Sequence, residues 1–230
     1  MPSIRTARLT GLFYLGLAVA GGLSFLLIRS RLFVADDPAA TLANLLDHES
    51  LARAGIAFEL LTVLTQALAA AWFYRLFHAA NRFAAAAIAA FGLVNAVAVL
   101  VSSALLATAL ETARAGGDAA PVQLLHTVSG HLWSVGGLFF GLWLIPMGRC
   151  VLDSGWMPRA LGWLLVAGGA GYVLSAFVRY LSPDTATIAD TLAYPATAGE
   201  LWMIGYLLIR GARRQAPDRS PAATPQPATL

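Results

Sequence analysis

Two glutamates, Glu59 and Glu200, stand inside stretches that are otherwise apolar, GIAFELLTVLTQALAAAWF around the first and ATAGELWMIGYLLI around the second. A carboxyl group in hydrocarbon costs about 2.5–3.5 kcal/mol on insertion scales, so such a residue turns to a bundle interior or a wet cavity. Held neutral there, it can donate a hydrogen bond or a proton, which suits ligand recognition or acid catalysis. Gln66, Asn95, His131, Tyr172 and Ser175 fall in comparable stretches. At about 1.5 Å of rise per residue, Glu59, Glu200 and His131 lie roughly 8, 12 and 13 Å from one end of their stretches, and Asn95 lies near the middle. The expectation is a polar pocket in the outer half of a bilayer, drawn from Glu59, Asn95, His131, Tyr172, Ser175, Glu200 and Trp202. If the pocket is catalytic, Glu59 and Glu200 are its candidate acids.

Other roles suit the same residues. Gln66, Asn95, Ser102 and Ser103 fit hydrogen bonds between helices, and Glu59 fits an ion pair with Arg53 or Arg179. His126 is five residues from His131, so the two point in different directions, and no HxxxH or ExxH spacing supports a metal. No metal and no cofactor are expected. Gly136, Gly137 and Gly141, with Gly168, Gly169 and Gly171, let helix backbones approach closely rather than cradle phosphate. Cys150 is the sole cysteine, so no intrachain disulfide exists.

The elements that must position these residues follow from composition. Of the 230 residues 58% are hydrophobic and 12% charged, with mean hydropathy +0.69, whereas about a quarter of residues are charged in ordinary soluble domains. The expected class is all-α, a polytopic membrane bundle. Apolar runs of spanning length cover residues 9–28, 54–77, 83–110, 122–147, 160–181 and 192–209, which gives six transmembrane helices. Between the first two, Asp37 can cap, Pro38 fits a first helical position, and Leu42, Leu45 and Leu46 share a face. That pattern predicts a short amphipathic helix at the membrane surface. Residues 1–214 then form one membrane domain, and the Pro/Ala/Thr-rich 215–230 a disordered cytoplasmic tail.

The pI near 9.4 does not signal nucleic-acid binding, because the arginines are spread among the loops. Arg5, Arg8, Arg75, Arg82, Arg149, Arg159, Arg210, Arg213, Arg214 and Arg219 fall on one side, and only Arg29, Arg31, Arg53, Arg114 and Arg179 on the other. The positive-inside rule places both termini in the cytoplasm, in a multi-pass protein of the cell membrane. Arg5 and Arg8 precede Ala18-Val19-Ala20, which is like a signal-peptidase site, but the apolar run continues to Ile28, long enough to span.

Together these residues make the chain resemble a bacterial family catalogued as domain of unknown function 4386. The resemblance rests on Arg8-x-x-Gly11-x-x-Tyr14-Leu15, Thr41-Leu42-x-Asn44-Leu45-Leu46, Leu51-x-Arg53-x-Gly55, Tyr74-x-Leu76-Phe77, Phe140-Gly141-Leu142 and Ser154-Gly155-x-x-Pro158-x-x-Leu161-Gly162. It implies a six-helix integral membrane protein and carries no activity and no catalytic residue. Three functions remain open on the sequence. The first is a membrane protein whose pocket binds a membrane lipid or small apolar molecule. The second is a membrane enzyme acting on a lipidic or isoprenoid substrate by proton donation from a carboxyl group, a layout similar to that of membrane terpene cyclases. The third is a transporter or permease subunit, for which a homodimer would double the span count.

Overall fold

A computed structural model of the protein describes residues 2–181 and 186–212; the 215–230 tail lies outside them. The described chain is helical. Helix α1 runs Ile4–Leu32, with a π-helical turn at Leu23–Ile28, and α2 covers Pro38–Asp47. Then come α3, Glu49–Phe77, α4, Arg82–Arg114, α5, Ala119–Ser154, α6, Arg159–Leu181, and α7, Ala186–Ile209.

Local chemistry sets the boundaries. Ser3 caps α1 by accepting from the Thr6 amide at 3.0 Å, and Asp37 caps α2 by accepting from Ala40 at 2.9 Å with Pro38 following. Asn81 caps α4 by accepting from Ala84 at 2.9 Å, while its amide donates to Asp153 at 2.7 Å and ties that end to α5. Helix α5 stops at Gly155, whose φ of 67° is left-handed and open to glycine without strain.

Short connections alternate the helix directions. Both ends of the described chain, the α3–α4 turn and the α5–α6 turn lie at one end of the bundle, and α2 with the α4–α5 turn at the other. Helices α3 to α7 each pack on the next, and α1 closes the ring between α3 and α7. Trp143, Tyr14, Phe73, Leu144 and Met147 fill the core. Leu12, Leu64, Val97, Leu124, Val135 and Phe177 point outward and are exposed. That outward apolar surface is what a bilayer requires of the protein it surrounds.

Two expectations about this architecture are corrected. Among the described residues five helices, not six, are long and apolar enough to cross a membrane, namely α1, α3, α4, α5 and α6. Helix α7 has 24 residues but is not among them. It still runs back along α6 and α1. A Cβ added to Gly211, just beyond α7, would lie 3.2 Å from Ile4, so both ends of the described chain sit at the same end of the bundle. The second correction concerns α2, which is not a separate interfacial helix. It is packed on α3, α4 and α5 and buries Thr41 and Leu45 while Leu46 stays exposed. Asn44 donates to the Leu32 carbonyl at 3.3 Å and Thr41 to that of Val34 at 3.2 Å, so it caps the bundle through polar contacts that a leucine pattern does not reveal.

Candidate functional site

The π-helical turn of α1 determines one of two polar centres. Its wider ring bonds the Arg29 amide to the Ser24 carbonyl five residues earlier. Arg29 therefore follows Ser24 on the buried face, where an α-helix would have put residue 28 in that register. The guanidinium crosses to α3. Arg29 Nη2 donates to Glu59 Oε1 at 2.8 Å and Nε to the same oxygen at 3.2 Å. Glu59 is fully buried. It also accepts from Ser102 Oγ of α4 at 3.0 Å and Trp133 Nε1 of α5 at 3.1 Å. Arg29 Nη2 further donates to Ser102 Oγ at 2.8 Å and to Ser129 Oγ. Four helices thus share one network in which the carboxylate has a counter-charge and further donors. A group so fully engaged is suited to holding helices together.

The second centre is open. A cavity of about 720 Å³ lies between α1, α5, α6 and α7, with Thr62 of α3 at its wall. Helices α1 and α7 touch closely at the chain-terminal end, where a Cβ on Gly11 would be 2.9 Å from Leu207 Cβ. They part beyond the Tyr14 hydroxyl, which donates to Glu200 Oε1 at 2.5 Å. Farther along α1, a Cβ on Gly22 would meet nothing within 4 Å. Leu26, Tyr194 and Leu201 line the cavity and are 67%, 68% and 61% exposed. The mouth therefore faces sideways between α1 and α7. At its far end Arg179 Nη2 donates to Asp190 Oδ1 at 2.5 Å.

The residues singled out in the sequence divide between these centres and the outer surface. Glu200, Tyr172 and Ser175 line the cavity; the Ser175 hydroxyl is turned to its own helix, donating to the Tyr172 carbonyl at 2.7 Å. Glu59 belongs to the arginine network. Asn95 is buried and donates to Gln66 Oε1 at 2.8 Å, an interhelical bond between α4 and α3. His131 is exposed, and Trp202 is 42% exposed and outside the cavity wall. His126 is buried and stacks on Phe33 with ring centroids 4.6 Å apart. Among the described residues, no three His, Cys, Asp or Glu side chains gather where they could hold a metal ion.

Sequence reasoning did not assign Arg29, Ser129, Trp133 or Tyr14 to a site. Arg29 had one available signal, since it directly follows the first apolar run at the end where Glu59 is shallowest. Trp133 links the two centres, because its indole N–H binds Glu59 while the residue lines the cavity.

The family model described as Domain of unknown function (DUF4386) matches residues 9–211, and the chain belongs to that family. No curated protein and no solved structure matches it.

Proposed function

We propose that this member of the domain of unknown function 4386 family is a multi-pass membrane protein that binds a lipid or small apolar molecule in the cavity between α1, α5, α6 and α7. The carrying observation is the cavity itself, about 720 Å³, in the range of sites that enclose drug-sized ligands. Its walls are mainly apolar and aromatic, with a carboxyl–hydroxyl pair, Glu200 and Tyr14, at the deep end. Such a site takes a ligand with an apolar body and one polar group. The sideways mouth admits it from the bilayer rather than from water. With seven arginines among the described residues at the chain-terminal end and five at the other, both termini are cytoplasmic and the cavity belongs to the outer half of the membrane.

The test is native mass spectrometry of the protein purified in mild detergent. Retention of a lipid or isoprenoid at a fixed ratio supports the reading, and protein free of any such molecule under several detergents refutes it. Glu200 is also the carboxyl group placed for acid catalysis on a lipidic substrate. Retention of a chemically altered lipid, rather than a bulk membrane lipid, would favour that second reading.

A further inference from the structure

We propose that the cavity's ligand is a lipophilic cation, an amine or quaternary onium group on an apolar body; this rests on the cavity being a binding site. The charged residues in its wall are Arg179, Asp190 and Glu200. Arg179 and Asp190 neutralise each other at the mouth. Glu200 has no such partner, because among the described residues no arginine makes an ion pair with it, and its bonded neighbour is the neutral Tyr14 hydroxyl. Glu59 provides the contrast within the same molecule. Fully buried where Glu200 is half-buried at the cavity wall, it is matched by Arg29 and further donors.

The rest of the wall suits the same ligand. Tyr14, Phe25, Trp133, Phe140, Tyr172 and Tyr194 contribute aromatic surface, and aromatic faces attract cations with most effect where water is excluded. Phe25 already carries the Arg29 guanidinium 5.8 Å from its ring centroid. Among the described residues no cation is found over the other five. An anionic ligand would have to displace Asp190 from Arg179 and approach Glu200 without a compensating charge. A neutral lipid would give the ionised carboxylate of Glu200 no counter-charge. A cation supplies the missing counter-charge and uses the aromatic wall.

Tetraphenylphosphonium and tetraphenylborate have the same shape and opposite charge, and both are titrated into the full-length protein in detergent. The expected result is tighter binding of the phosphonium by more than about tenfold. Glu200→Gln keeps an acceptor for Tyr14 and removes the charge, so it should lower phosphonium affinity by more than about tenfold and leave the borate unchanged. Should that variant fail to fold, Tyr172→Leu tests the aromatic wall, with a several-fold loss for the phosphonium alone. Equal affinity for the two ions, or phosphonium binding unmoved in a folded Glu200→Gln or Tyr172→Leu protein, overturns the proposal. Equal binding overturns the cation preference and leaves the apolar-cavity reading standing. Binding of neither ion, together with protein that retains no lipid, removes both.

Discussion

The guanidinium of Arg29 and the carboxylate of Glu59 meet 2.8 Å apart with their side chains 9% and 0% exposed. They are joined because a single π-helical turn, Leu23–Ile28, rotates Arg29 from the end of α1 onto the face that meets α3. Ser102, Ser129 and Trp133 then take up the remaining hydrogen-bonding capacity from α4 and α5. A buried pair of this kind is weak evidence of net stabilisation against an apolar replacement, but breaking it from one side strands a charge.

Glu59→Leu therefore leaves the Arg29 guanidinium without its counter-charge and should destabilise the protein by about 3–5 kcal/mol. Arg29→Leu should cost a similar amount. The double variant removes both charges and should be less destabilised than the sum of the two singles, which thermal unfolding in detergent measures as a coupling. Strict additivity would mean that the two charges do not depend on each other.

Helices α5 and α6 test a different form of cohesion. A Cβ on Gly148 would stand 2.5 Å from the Gly162 carbonyl oxygen, and one on Gly141 would stand 2.7 Å from that of Gly169. These neighbours are backbone and cannot swing aside. Gly148→Ala should therefore cost about 1–3 kcal/mol as the helices are pushed apart. Gly205→Ala in α7 meets nothing within 4 Å and should stabilise by about 0.5–1 kcal/mol through helix propensity alone. If both substitutions shifted the unfolding temperature alike, close backbone approach would not be what holds α5 to α6.

Apolar runs and turn residues made the helical membrane class legible, because hydrophobic length is written in consecutive residues. The sixth span was misjudged for a related reason. Leu192–Ile209 ends in a strongly apolar stretch, but its first half carries Tyr194, Pro195, Thr197 and Glu200, and α7 is not among the helices apolar enough to cross. The depth argument selected Glu200, Tyr172 and Ser175, which do line one cavity. Depth says nothing of azimuth, however, and His131, at a depth similar to that of Glu200, faces outward. The pairing of Glu59 with Arg29 was hidden for a sharper reason. Ordinary 3.6-residue periodicity leaves Arg29 beyond the span, and a π turn has no composition of its own to announce it.

The contact of Gly211 with Ile4 makes a topological prediction that does not depend on how many helices count as spans. Reporters fused at the two chain ends should report the same side of the membrane. With the arginine majority at that end, a carboxy-terminal fluorescent protein should mature and a phosphatase fusion should stay inactive. An active phosphatase with a dark fluorescent fusion would reverse the orientation and move the cavity to the inner half.

The cavity can be filled without disturbing either polar centre. Gly22 lines it and has ordinary helical geometry, φ −61° and ψ −45°, so a side chain is accepted there without backbone strain. A Cβ at this position meets nothing within 4 Å, whereas one at Gly16, two turns back, would lie 2.9 Å from Thr65 Cγ2. Gly22→Trp should therefore place an indole in the open space and change stability by less than about 0.5 kcal/mol, the usual range where nothing is displaced. Gly16→Trp should lower stability clearly because it must push α3 aside. Native mass spectra of the Gly22→Trp protein should show the co-purifying molecule lost or held at a small fraction of the wild-type occupancy. Retention at the wild-type ratio, with unfolding unchanged, would mean that the ligand lies outside the space between α1 and α7, and that Glu200 is not its polar anchor.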